Sequence, residues 1–123
     1  MINLEMDVKS RSACVRKFRS AEWLVAPISQ QDAVAFIESH HYAKGASKTS
    51  VFRFGLFERE SQTLRGATMW LPPTRVAAES VAPSRWRRVL ALSRMAVSEY
   101  VPKNGASFLL GASVRAIRRD GRF

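Results

Sequence analysis

Residues 92–110 read LSRMAVSEYVPKNGASFLL. A β-like run around Leu92–Val97 gives way to a short loop of Pro102, Lys103, Asn104 and Gly105, and an apolar run follows at once. Beyond it, Ala106, Leu109, Leu110, Ser113, Val114 and Ile117 recur at helical spacing and mark one buried face. A helix entered directly from a strand leaves its first N–H groups unpaired and its positive dipole end outward, which suits phosphate. Gly105 and Ala106 let the backbone approach a ligand, Ser107 adds a hydroxyl, and Lys103 adds a point charge. Pro102 removes one donor and fixes the approach of the chain. Alone, the pattern is weak, because strand-to-helix turns often contain Gly, Asn and Ser.

Working upstream, Val89 to Tyr100 reads as a strand, preceded by Trp86 and by a short helix or loop over residues 74–85. Pro72 and Pro73 close a hairpin made of Val51–Phe57 and Leu64–Leu71, turned at residues 58–63. Gly55 and Gly66 within it read as bulges or sites of close approach. The KGASKTS stretch, residues 44–50, is a basic loop. Before it, Ala33, Val34, Phe36, Ile37 and Tyr42 give a helical stripe from about residue 30 to 41. Ser29 is placed to cap that helix, with Asp32 in its first turn. Residues 22–28 form a first strand. Residues 1–20, with Lys9, Arg11, Arg16, Lys17 and Arg19, read as a basic arm or a solvated tail, and residues 21–123 as one core. The order strand, helix, three strands, helix predicts an α+β domain. A mixed sheet is expected, with the fourth strand open for a parallel neighbour. An open edge invites a dimer or a missing companion segment.

The 123 residues carry a net charge of +10 and 46% hydrophobic residues, enough for one core and a field that favours polyanions. Cys14 is the only cysteine, which excludes an internal disulfide and a cysteine-based zinc site. The sequence shows no signal-peptide pattern and no apolar run near the roughly 18 residues of a membrane span, so a cytoplasmic location is expected. Arg85, Arg87 and Arg88 form a tight cluster suited to phosphate contacts that position DNA, or to a solvated face. Trp70, Trp86 and Phe54 either stack on a base or fill the core.

The element order, with a glycine-containing loop after the fourth strand, resembles the acetyl-CoA-binding core of the GNAT acyltransferases. PKNGAS, residues 102–107, departs from that family's usual Arg/Gln-x-x-Gly-x-Gly/Ala signature. A closer resemblance lies in His40-His41-Tyr42, the LSRMAV strand and PKNGASFLLGASVRAIRRDG. Together these resemble the Mom-type DNA-modification proteins of bacteriophages over about residues 22–123. The resemblance implies a GNAT-like fold and conversion of adenine N6 to an acetamido (methylcarbamoyl) form that protects phage DNA from restriction. It implies double-stranded DNA and an acyl-CoA as partners, acetyl-CoA above all, with iron an open possibility. His41 and Tyr42 match the family's active-site pair, and Arg94 and Ser107 match positions linked to the cofactor. The family pattern continues with a strand carrying Tyr-Ala-Asp and a further Tyr. Neither follows the last helix here, so a core lacking its final strands is the expectation, with the parent activity of the family as one reading of this chain and an inactive fragment as the other.

The chemistry explains the residue types. Adenine's N6 lone pair is delocalised, so the base must leave the stack and lose a proton before it attacks. That needs an acceptor such as His41 or an Asp, and oriented donors on the acyl side. His40 and His41 are adjacent, so they diverge by about 100° on a helix and cannot readily chelate one metal together. Arg94 reads equally as a buried salt-bridge partner or as a cofactor contact. Two rivals remain at this point: an ordinary GNAT acyltransferase on a small amine or protein, and a non-catalytic basic DNA-binding module.

Overall fold

A computed structural model describes residues 17–40 and 50–123. Its elements are β1 (Trp23–Pro27), α1 (Gln30–His40), β2 (Phe52–Glu58), β3 (Thr63–Leu71), α2 (Arg75–Val81), β4 (Ala91–Val97) and α3 (Gly105–Asp120). The α+β expectation holds. The four strands lie in the order β1-β2-β3-β4, and every neighbouring pair is antiparallel. The mixed sheet is thus not seen among the described residues, because each strand pairs with its sequence neighbour. β4 does lie at the edge, as its sequence position suggested.

Helix starts follow local chemistry. Ser29 Oγ accepts from the Asp32 amide at 3.0 Å, the cap expected from the sequence. Thr74 does the same for α2, accepting from the Ala77 amide at 3.3 Å. That cap, with the helix Arg75–Val81, resolves a segment whose periodicity left helix and loop open. A 3-10 turn, Trp86–Arg88, then delivers the chain to β4.

The sheet is covered on both faces. Ala33, Phe36 and Ile37 of α1 pack against Ala67, Met69 and Ala96. Leu109 and Ile117 of α3 pack on the other face against Trp23, Phe54, Leu56 and Trp70. β3 therefore buries both sets of alternating side chains, and its residues 66–70 are all buried. Phe18 also joins the α3 face, its ring 5.1 Å from Phe108 and 6.0 Å from Trp23. The described end of the basic arm is therefore tied to the core; residues 1–16 lie outside the described residues.

Gly66 lets α3 come close. A Cβ there would lie 3.1 Å from Leu109 Cδ2 and 3.2 Å from Leu56 Cβ. Leu56 pairs with Gly66 but Phe57 with Leu64, so Arg65 is an extra residue beside it. At Gly55 an added Cβ would stand 2.7 Å from both Ile28 Cγ2 and Leu64 Cδ1. The reading of these two glycines as close-approach sites is borne out.

One buried polar chain crosses the α3 interface. Trp70 Nε1 donates to Thr68 Oγ1 at 3.1 Å, Thr68 Oγ1 stands 3.3 Å from Ser113 Oγ, and Ser113 Oγ donates to the Leu109 carbonyl at 2.8 Å. With Thr68 donating to Ser113, all the hydroxyl and indole protons are used. Thr68→Val keeps the shape but leaves the buried Trp70 N–H without its acceptor. We expect a loss of about 1–3 kcal/mol, read by urea denaturation; unchanged stability would show that the chain contributes nothing.

Candidate functional site

β4 ends at Val97, and seven residues carry the chain to α3. The Ser98 amide donates to Arg65 O at 2.8 Å and the Val101 amide to Ser98 O at 3.0 Å, which turns the loop back over the sheet end. Pro102 is fully buried and anchors it. Lys103 and Asn104 are exposed. Asn104 adopts the left-handed region at φ 81°, a conformation asparagine tolerates, and makes no side-chain cap. The Gly105 amide donates to Pro102 O, and the first helical bond runs from the Phe108 amide to Asn104 O, each 3.0 Å. The amides of Ala106 and Ser107 are left without an acceptor among the described residues, and both residues are exposed.

Five cofactor candidates of this loop thus separate into two groups. Lys103, Asn104, Ala106 and Ser107 share one exposed corner at the positive end of a sixteen-residue helix. Gly105 turns inward. It is buried, its amide is already paired, and a Cβ there would collide with Val101 Cγ1. Glycine is required at this position by packing against Val101.

Arg94 lies on the opposite face from α3. It pairs with Met69, which belongs to the α1 core. Regular alternation with Ala96 sets this placement; the register shifts only beyond Arg94, where Trp70 pairs with Leu92 and Ser93 is the extra residue. The guanidinium is half-buried. Nη1 donates to Ser93 O at 2.9 Å, while buried Nε has no partner. No ion pair among the described residues includes Arg94, so the salt-bridge reading is not met there. The result is a donor-rich cation on the face that α1 covers, without an ion-pair partner among the described residues.

His40 closes α1, stacked 4.1 Å from the Phe36 ring, with Nδ1 2.8 Å from Ser39 Oγ and 3.0 Å from the Phe36 carbonyl. His41, Tyr42 and the loop at 44–49 lie outside the described residues. The end of α1 that leads to them packs on the same face of the sheet as Arg94. Among the described residues no three or more metal-type side chains come together. No described helix is long and apolar enough to cross a membrane.

Arg85, Arg87 and Arg88 are all exposed in the turn before β4. Trp86 is held between two guanidinium groups, Arg75 at 4.5 Å and Arg87 at 4.7 Å from its ring centre. Of the three aromatic candidates, Phe54 and Trp70 are 5% and 7% exposed and belong to the core. Arg75 is a basic residue of this surface that the sequence reading passed over; the Thr74 cap was the signal that places it on a helix beside Trp86. Near the chain's last helix, Asp120 is tied to Arg122 at 2.7 Å, and that hydrogen bond holds the carboxyl below its ordinary range.

Compared with known families, residues 22–122 match the model of the Mom protein family. No curated protein matches the chain. The matched span runs from the start of β1 through α3 and contains the 103–107 corner, Arg94 and the arginine cluster.

Gly105→Ala tests whether the loop glycine serves packing. The backbone there is not in the left-handed region, so in open space alanine would stabilise the helix by about 0.5–1 kcal/mol. Against Val101 we expect destabilisation of about 1–3 kcal/mol, relieved in a Val101→Ala background. Chemical denaturation of the four variants of this cycle reads the result. A stabilising single substitution would contradict the packing account.

Proposed function

The chain belongs to the Mom protein family of phage DNA-modification proteins, and from that premise we propose that it modifies adenine N6 in double-stranded DNA with an acyl-CoA-type donor, N6 attacking the thioester carbonyl, the CoA thiolate leaving and the N6 proton passing to a base on the protein. The observation that carries this reading is the exposed corner of Lys103, Asn104, Ala106 and Ser107, where two backbone N–H groups have no acceptor among the described residues. Such a corner fits a pyrophosphate: two amides, a hydroxyl and an ammonium group converge at the positive end of a helix. When bound, acyl-CoA supplies an activated acyl group.

The remaining roles belong to side chains. Arg94 offers a half-buried guanidinium that no acid pairs with among the described residues, a positive charge for an oxygen that carries charge on the acyl side. His41 takes the proton that adenine N6 must lose, and Tyr42 stacks on the base or donates a proton. Arg85, Arg87 and Arg88 hold backbone phosphates while the base leaves the stack. No step is assigned to iron, since the described residues gather no ligand set for it. The host cytoplasm, where the DNA lies, is the place of action.

Ser107→Asp separates cofactor binding from folding. A carboxylate in the first turn of α3 favours the helix by about 0.3–1 kcal/mol, yet it occupies and repels the anion position. We expect stability equal to or above wild type together with loss of CoA binding in calorimetric titration. Lys103→Ala weakens the same titration without unfolding the chain. In cells expressing the protein, His41→Ala and Tyr42→Ala abolish modified adenine in digested DNA while CoA binding persists. Wild-type CoA affinity in Ser107→Asp would contradict the assignment of the corner.

A further inference from the structure

The far end of α3 carries a cleft whose floor the roles above do not use. α3 starts near the Val97 end of β4 and runs back along the sheet, so its last turns reach the end where β4 begins at Ala91. There a cavity of about 250 Å³ opens between the 3-10 turn before β4 and the end of α3. Trp70, Ile117 and Phe123 are among its apolar lining, and the charged lining consists of Arg88 and Arg118 alone. Arg88 Nη2 reaches the Gly121 carbonyl at 3.5 Å, so segments 33 residues apart in sequence meet here.

The charge around this cleft has one sign. Arg85 and Arg87 beside that turn, Arg119 and Arg122 at the end of α3, and Arg75 of α2, whose guanidinium stands 4.5 Å from the Trp86 ring centre, are exposed. The acids on those segments, Glu79 and Asp120, are each already tied to an arginine, at 3.0 Å and 2.7 Å. The carbonyl end of α3 contributes about half a negative charge, well short of offsetting the guanidinium groups. An apolar floor flanked by two cations matches a chain of sugars and phosphates: the sugar faces lie against carbon, and the phosphates meet the flanking guanidinium groups.

We propose that this cleft seats the DNA sugar–phosphate backbone, with Arg88 and Arg118 contacting phosphates on either side of the apolar floor. The assignment to DNA rests on the DNA-modification reading. It adds Arg118, a residue of α3, to the arginines of the turn before β4, and it places the backbone contact at the opposite end of α3 from the cofactor corner. For sixteen residues that separation is about 24 Å.

The test is the salt dependence of binding to a short DNA duplex, measured by fluorescence anisotropy on the whole protein. Arg88→Gln with Arg118→Gln removes two phosphate contacts, so the slope of log affinity against log salt falls by about 2. Lys17→Gln with Arg19→Gln removes equal charge at the far end of the sheet and changes the slope much less. Melting curves confirm that both pairs remain folded. Equal slopes for the two pairs, or a wild-type slope for the cleft pair, would overturn the assignment. So would a larger effect of the cleft pair on RNA of the same length. Modified adenine from wild type, measured in parallel, keeps the two claims apart. If it forms while the cleft pair binds normally, only the cleft fails; if the cleft pair loses its slope but wild type makes no modified base, only the enzymatic reading fails.

Discussion

Leu109 pressing onto Gly66 is the contact from which the rest of the structure takes its geometry. Leu109 is fully buried, and the missing side chain at Gly66 is what lets α3 settle this close to β3. The Trp70–Thr68–Ser113 hydrogen-bond chain fixes the same helix in register from within the same interface. A dry contact alone would allow the helix to slide; the buried hydroxyls leave it a single seat, since each needs its partner. With α3 placed, its first turn must stand at the Val97 end of the sheet and its last turn beside the entrance to β4.

The proposed function draws on the two ends of one helix. The first turn exposes Lys103 and two amides that have no acceptor among the described residues, and the last turns bring arginines beside those that precede β4. Between them the sheet separates two kinds of work. Its α3 face is core, while its α1 face holds Arg94 and the helix that leads toward His41 and Tyr42. Strand alternation makes this division: Arg94 follows Ala96 onto the α1 face, while Met95 and Val97 face α3.

Much of this was visible in the sequence wherever the signal was local. The 3.6-residue spacing from Ala106 to Ile117 defines α3, Ser29 announces α1, and the hairpin glycines mark close approach. The loop residues 103, 104, 106 and 107 stand exposed together because they are neighbours in the chain. What the sequence concealed depends on contacts at long range. Gly105 looked like a ligand-facing glycine, but Val101 occupies the space its side chain would need. The extra residue at Ser93, which changes the partner of Leu92, is a one-residue slip against β3 that no periodicity records. The meeting of Arg88 with Arg118 appears only once α3 is folded back along the sheet.

The central claim is that the Ala106 and Ser107 amides are kept free in order to receive the pyrophosphate of an acyl-CoA. Amide proton and nitrogen chemical shifts, followed by NMR as CoA is added to the labelled protein, report on those two groups directly. The account predicts that the resonances of Ala106 and Ser107 move furthest and saturably, with Asn104 beside them, while those of the buried β3 residues stay in place. Saturable shifts centred elsewhere, with Ala106 and Ser107 unmoved, would contradict it.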